Sequence, residues 1–132
     1  MNIKDYITKH EELKLKPYHC PAGKLTIGVG RNIEDNGISE DEAMYLLEND
    51  IKRCVNELRE IFPNFDMFDE TKKTALIDMI FNLGKTRFLG FKKMIAAIKK
   101  ADWQTASKEA KDSKWCREVG VRCDDDTRLL RA

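Results

Sequence analysis

HEELKLKPYHCPAGKLTIGVGR, residues 10–31, is the stretch that decides the fold of this chain. Before it, Ile3, Tyr6 and Ile7 recur at helical intervals and predict a short amphipathic helix over the first ten or so residues. Within it, the prolines at positions 17 and 21 cannot continue a helix, and Ala22-Gly23 supplies a turn. Residues 25–29 then alternate as a strand does. The stretch therefore predicts a helix followed by a β-hairpin.

Three reactive side chains follow each other across this predicted junction. Glu11 stands at the end of the helix, Cys20 follows after eight residues, and Thr26 follows after five more. Such a junction can hold a carboxyl group on one side of a cleft, with Cys20 and Thr26 presented from the two strands opposite it. Glycosidases need that division, because one carboxylic acid protonates the leaving oxygen while a second group activates water or attacks the sugar.

The same stretch resembles the phage-type lysozymes, the T-even phage lysozyme and its short endolysin relatives in glycoside hydrolase family 24. That family carries Glu, then Asp or Cys, then Thr at this spacing, and here the middle residue is Cys. The resemblance implies that Glu11, Cys20 and Thr26 are catalytic. It implies a muramidase that hydrolyses the β-1,4 bond between N-acetylmuramic acid and N-acetylglucosamine in peptidoglycan, with no metal and no cofactor.

The resemblance extends to about residue 122. Residues 78–84, Asp-Met-Ile-Phe-Asn-Leu-Gly, with Gly90-Phe91 after them, are similar to the helix and turn that place a substrate-contacting amide over the family's cleft. This assigns substrate binding to Asn82. Ser113-Lys114-Trp115 and the later Arg122 resemble the family's Ser-basic-Trp segment and the arginine that lies near its catalytic glutamate. Arg122 departs from the pattern, because no proline precedes it and an acidic run, residues 124–126, follows it.

Beyond the hairpin the chain reads as helical. A capping-box sequence at residues 39–42 predicts a helix that continues for about five turns to just before Pro63. A core helix follows from Asp69 or Thr71 to Gly84, then amphipathic segments over residues 88–98 and after Asp102. Residues 113–131 read as a less regular stretch, with a last helix of one or two turns.

The predicted fold is therefore α+β, lysozyme-like and mainly helical. It has a small N-terminal β-hairpin lobe joined by a long helix to a helical C-terminal lobe. At 132 residues the chain is expected to be a single catalytic domain, residues 1–132. It lacks the long insertion that the T-even enzyme has after the hairpin.

Net charge and hydropathy restrict the classes of molecule with which the chain is expected to interact. Lys and Arg total 24 against 23 for Asp and Glu, and a net charge of +1 argues against a dedicated nucleic-acid binder. The N-terminus has no apolar core of a signal peptide, and no stretch approaches a membrane span. We therefore expect a monomer made in the cytoplasm of a host bacterium, which reaches the periplasmic wall through a separate holin-type pore former.

Four cysteines, Cys20, Cys54, Cys116 and Cys123, are predicted to be free thiols. A chain of this size does not need disulfides to fold, and the cytosol keeps thiols reduced. A zinc site is the alternative, which the lack of any Cys-x-x-Cys pair disfavours.

Each candidate residue also has a plainer interpretation. Glu11 is then a solvated helix end, Cys20 a small buried apolar residue and Thr26 an ordinary strand residue. Arg31, predicted to bind substrate, pairs with Glu11 and holds it in place, or is a surface residue. At the level of function, one alternative is a catalytically silent protein that keeps the fold and groove and binds the wall. Another is a small helical regulatory or nucleic-acid-binding protein, which the charge balance and the motif disfavour.

Overall fold

The computed structural model describes residues 2–132 and divides them into two compact units, the first ending at Leu46 and the second running from Leu47 to Ala132. The first unit contains α1 (Ile3–Glu11), β1 (Lys14–His19), β2 (Leu25–Gly28), β3 (Arg31–Asn32), α2 (Ile33–Asn36) and the beginning of α3 (Glu40–Ile61). A small N-terminal sheet followed by helices confirms the predicted α+β, mainly helical class.

The strands form one antiparallel sheet in the order β1-β2-β3. Thr26 pairs with Tyr18 on one side and with Asn32 on the other, so β2 is the central strand. The register shifts between Lys14 and Tyr18, around Pro17, which has no N–H to donate to the ladder. The predicted hairpin is thus confirmed, and a short third strand that the sequence analysis did not anticipate extends it.

The capping box that begins α3 is formed as predicted. The Ser39 hydroxyl accepts from the N–H of Glu42 at 3.1 Å, and the Glu42 carboxylate accepts from the N–H of Ser39 at 2.8 Å. Two backbone donors at the start of the helix are thereby satisfied. The helix ends at Ile61, before Pro63.

The second unit is helical and holds the hydrophobic core. After a 3₁₀ turn at Phe65–Met67 it contains α4 (Glu70–Leu83), α5 (Lys85–Leu89), α6 (Lys92–Lys99), α7 (Trp103–Lys111), α8 (Lys114–Val119) and α9 (Val121–Arg131). The predicted core helix is α4, which buries Ala75, Leu76, Met79 and Ile80 and ends at Gly84 with φ +81°. No helix within residues 2–132 is both long enough and apolar enough to cross a membrane.

Two predictions for the second unit were wrong in detail. The segment 88–98 is not one helix, because α5 ends at Leu89 and α6 begins at Lys92, after Gly90 and Phe91. The stretch 113–131 is regular, and its last helix, α9, has 11 residues rather than one or two turns. Gly120, with φ +60°, separates α8 from α9 in a backbone conformation that favours glycine.

The prediction of four free thiols was wrong for two of them. Cys116 of α8 and Cys123 of α9 form a disulfide, with their Cα atoms 5.0 Å apart. The turn at Gly120 brings the two helices close enough for this bond, which the linear spacing did not reveal. Cys20 and Cys54 are free.

Reduction of the Cys116–Cys123 bond should lower the thermal stability of the protein. A cross-link that closes a short loop stabilises the folded chain by about 2 kcal/mol through the unfolded state, so Tm should fall by about 5–10 °C. Melting followed by circular dichroism, with and without dithiothreitol, measures the change. The double variant Cys116→Ser/Cys123→Ser is the control and should not respond to the reductant. Four free thiols in the untreated, denatured protein would contradict the disulfide.

Candidate active site

Glu11 is the last residue of α1, and its carboxyl group lies against Gly30. A Cβ atom at position 30 would stand 2.6 Å from Glu11 Oε2 and 2.8 Å from its Cδ. Real Cβ atoms do not approach so closely, and Gly30 also has φ +69°. A side chain at position 30 would therefore strain the backbone and displace this carboxyl group.

The residue after Glu11 ends the helix in a strained conformation. Glu12 has φ 65° and ψ 153°, a region that is almost restricted to glycine and costs on the order of 1–3 kcal/mol. Its N–H donates to Thr8 O at 2.9 Å, which closes the last turn. The chain thus leaves α1 sharply enough for β1 to begin at Lys14.

Cys20 lies directly after β1, at the start of the hairpin turn. Its N–H donates to Lys24 O at 3.0 Å, and its carbonyl accepts from Gly23 N at 2.8 Å. Hydrogen bonds to the sulfur favour the thiolate and lower the pKa of Cys20 below its ordinary value. The largest comes from the Lys24 backbone, and the Ala22 backbone and the Thr26 hydroxyl add to it, while partial desolvation opposes them.

Thr26, on the central strand, is the partner of Cys20. It is 3% exposed and is the only buried residue among those described in the first unit. Its hydroxyl donates to Lys24 O at 2.8 Å, so this buried polar group is satisfied. Because a hydroxyl has one proton, Thr26 can donate to an ionised Cys20 only by turning from Lys24 O to the sulfur. Thr26 can therefore respond to the charge on Cys20.

Replacing Thr26 with valine should raise the pKa of Cys20, because the thiolate loses a hydrogen-bond donor. The alkylation rate of Cys20 by iodoacetamide, followed by mass spectrometry across pH, reports the thiolate fraction. We expect the pH profile of the variant to shift to higher pH.

The matched control is Thr74→Val, which removes another threonine hydroxyl that donates to a backbone carbonyl, Glu70 O at 2.8 Å. Its Cys20 profile should follow that of the parent. Identical profiles for Thr26→Val and the parent would show that the hydroxyl does not act on the sulfur. Cys54 serves as a slow internal reference, because burial raises the pKa of its thiol.

Arg31 pairs with Glu42 rather than with Glu11. Its Nη1 and Nη2 donate to the two carboxylate oxygens at 2.9 and 2.6 Å, and Nη1 also donates to Gly37 O at 3.1 Å. The interpretation that Arg31 holds Glu11 is therefore wrong. The Arg31 guanidinium, with help from Ser39, lowers the pKa of Glu42 to about 2. One glutamate thus caps α3 and fixes β3, and a substrate-binding role for Arg31 stays a prediction.

Asn82, in the second unit, lies near the C-terminal end of α4. Its side-chain oxygen accepts from the indole N–H of Trp115 at 2.9 Å, which orients the exposed amide. Trp115, Phe91 and Leu83 also line a groove of about 540 Å³, with Arg87 and Lys114 among the charged residues around it. The amide predicted to contact substrate therefore shares Trp115 with this groove.

Arg122 is on α9 and is held by Asp78 of α4. Its Nε and Nη2 donate to the two oxygens of Asp78 at 2.8 and 2.7 Å, a bidentate pair. Arg122 is half-buried, and hydrogen bonding to Asp78 raises the pKa of its guanidinium. Its predicted contact with substrate stays a prediction.

Within the first unit, the structure thus brings together Glu11 with Gly30 and Cys20 with Thr26. Sequence reasoning missed several partners: Gly30 beneath Glu11, Glu42 beside Arg31, Asp78 beside Arg122, and Trp115 beside Asn82. The capping-box sequence identified Glu42 as a cap of α3, but it did not indicate that Arg31 would also bind Glu42.

Comparison with known proteins adds an independent finding. The model of the phage lysozyme family matches residues 8–125. The chain is similar to two Dictyostelium discoideum proteins, named probable T4-type lysozyme 2 and probable T4-type lysozyme 1, with 26% and 27% identity. Each alignment covers 86% of this chain and 84% of the relative. The pre-baseplate central spike protein Gp5 of Enterobacteria phage T4 is 25% identical over 98% of this chain, which spans only 28% of that protein.

Proposed function

The chain belongs to the phage lysozyme family, and from this premise we propose that it is a muramidase. It hydrolyses the β-1,4 glycosidic bond between N-acetylmuramic acid and N-acetylglucosamine in peptidoglycan. The observation that carries the proposal is the Glu11 carboxyl group against Gly30, in the same three-stranded sheet region that holds Cys20 beside Thr26.

In this proposal Glu11 is the general acid. Protonation of the leaving oxygen by a positioned carboxylic acid is the first requirement of glycoside hydrolysis. Gly30 supports this role, because the missing side chain leaves room for the carboxyl group at the junction. A strained residue beside it, Glu12, is the kind of backbone feature that clusters at active sites.

Cys20 supplies the second group, as the base or nucleophile of the reaction. A thiolate can do either, and the hydrogen bonds that lower the pKa of Cys20 favour it. Thr26 assists by donating to the thiolate. Asn82, Arg31 and Arg122 are proposed to bind the sugar polymer through their amide and guanidinium groups.

Glu11→Gln should fold like the parent and lose lytic activity by two orders of magnitude or more, because the amide cannot donate the catalytic proton. Turbidity clearing of permeabilised Gram-negative cells measures the loss. The matched control is Glu12→Gln, which makes the same change at the adjacent residue. This variant should clear cells at nearly the parental rate. Full activity of Glu11→Gln would exclude Glu11 as the acid.

A second candidate, a silent wall-binding protein with this fold, is favoured by one observation: position 20 carries a thiol, which is neutral in its ordinary state, instead of a carboxylate. Incubation with purified walls, followed by measurement of bound protein and of released fragments, separates the two. A silent protein pellets with purified walls but releases no soluble fragments, and its Cys20→Ala variant behaves like the parent. A muramidase releases reducing sugar ends and loses most of this activity on Cys20→Ala.

We further propose that the protein acts as a monomer, is made in the bacterial cytoplasm, and reaches the periplasmic wall through a separate holin-type pore former. Expression of this chain alone in a Gram-negative host should then leave the culture intact. Lysis should begin within minutes of adding chloroform or inducing a pore former, with Glu11→Gln as the inactive control. Rapid lysis without membrane damage would contradict the need for a release partner.

A further inference from the structure

Asp126 places an ionisable group in the buried face of α9. This face consists of Cys123, Asp126, Thr127 and Leu130, none of which is more than 4% exposed. The spacing is that of an apolar stripe, and the helix packs against α4, α7 and α8. A carboxyl group in such a stripe must be paired or neutral, because an isolated buried charge is very costly.

The neighbour of Asp126 is the carboxyl group of Asp78, which already holds Arg122. Two ionised carboxylates are both acceptors, and Asp126 Oδ2 has no hydrogen-bond partner among the described residues. One proton on Asp126 removes this conflict, since a carboxylic acid donates. Asp78 has enough lone pairs to accept from Arg122 Nε, from Arg122 Nη2 and from Asp126. The cluster then has one negative and one positive charge.

The electrostatic surroundings of Asp126 also favour its protonated form. Burial, together with the hydrogen bond and charge of Asp78, raises the pKa of Asp126 to about 8, while Arg122 opposes these effects. Asp125, on the same helix, also raises this pKa. Among the described residues of the other helices that pack on α9, α7 contributes the uncharged Ser107 and α8 the disulfide-bonded Cys116. Together these effects favour the neutral form of Asp126 near pH 7 over the ionised form.

We propose that Asp126 is a positioning residue: as a neutral acid it donates to Asp78 and so orients the carboxylate that receives Arg122. The inference rests on the proposed function in one respect, that Arg122 contacts the wall polymer. Asp78 uses Nε and Nη2 of Arg122, and this leaves the Nη1 donors for a sugar or peptide oxygen. Asp126 fixes the direction in which they point.

The first test measures the proton itself. The ¹³Cγ resonance of Asp126, followed by NMR in the whole chain between pH 3 and 10, should titrate near pH 8. An ordinary titration near pH 4 would overturn the inference. This measurement needs no variant and no activity.

The second test measures the orientation of Arg122. Asp126→Leu keeps the branched shape of the side chain but removes the donor, whereas Asp126→Asn keeps a donor that cannot ionise. Solvent exchange of the Arg122 Nε–H should be on the order of tenfold faster in Asp126→Leu, the scale of one lost charge-assisted hydrogen bond, and should be restored in Asp126→Asn. Asp124→Asn, an exposed neighbour on α9, is the matched control and should exchange like the parent. Slow exchange in Asp126→Leu would overturn the inference.

Stability against pH supplies a readout that holds even if Asp126→Leu fails to fold. The pKa of Asp126 is higher in the folded than in the unfolded chain. The contribution of Asp126 to the free energy of unfolding is therefore complete below about pH 4 and is lost as pH rises through about 8. Parent Tm should therefore fall relative to Asp126→Asn between pH 4 and 8. Parallel curves for the two proteins would contradict a proton held on Asp126.

Kinetics connects the cluster with the reaction. With soluble peptidoglycan fragments, Asp126→Leu should raise KM several-fold with little change in kcat, because only binding through Arg122 is disturbed. Asp126→Asn should restore KM. If the parent protein has no hydrolytic activity, the proposed function is wrong. The NMR and melting results would still test whether Asp126 holds a proton, because neither depends on activity. A fall in kcat with unchanged KM would overturn the positioning role.

Discussion

The Glu11 carboxyl group occupies the space that a Cβ at position 30 would need, and this contact ties the end of α1 to the turn between β2 and β3. Two unusual backbone conformations accompany it. Glu12 leaves the helix with positive φ although it has a side chain, and Gly30 supplies a positive φ without one. The strain at Glu12 persists because the helix end, the hairpin and the carboxyl contact together define the path of the chain.

Much of the first unit could be predicted, because its local signals agree with its tertiary structure. Helical spacing before Glu11, the prolines and the Ala22-Gly23 turn predicted the helix and hairpin, and the capping box predicted α3. The pairing of Arg31 could not be predicted. Arg31 and Glu42 are eleven residues apart, and the capping box gave Glu42 a complete local role without any sign that its second oxygen receives a guanidinium.

The end of the second unit was harder to predict for a physical reason. Sequence periodicity identifies a buried face by apolar residues, but α9 buries Asp126 and Thr127 within that face. Thr127 donates to a local partner, Cys123 O, and Asp126 lies beside a tertiary neighbour, Asp78. The helix therefore reads as polar and irregular. The Cys116–Cys123 bond depends on the turn at Gly120. Because the sequence does not reveal the direction of this turn, it does not reveal the bond.

A thiol in place of a carboxylate changes what the protein must do to its own acid–base groups. An ordinary glutamic acid and an ordinary thiol have pKa values of about 4.3 and 8.5, so the fraction with a protonated acid beside a thiolate is on the order of 10⁻⁴ at best. Each unit by which the thiol pKa falls raises this fraction about tenfold. Backbone donors from Lys24 and Ala22 and the Thr26 hydroxyl lower the pKa of Cys20 in the required direction. Because Thr26 is buried on the central strand beside Cys20, its hydroxyl is held near the sulfur, and the groups that favour the thiolate belong to the hairpin rather than to a neighbouring cation.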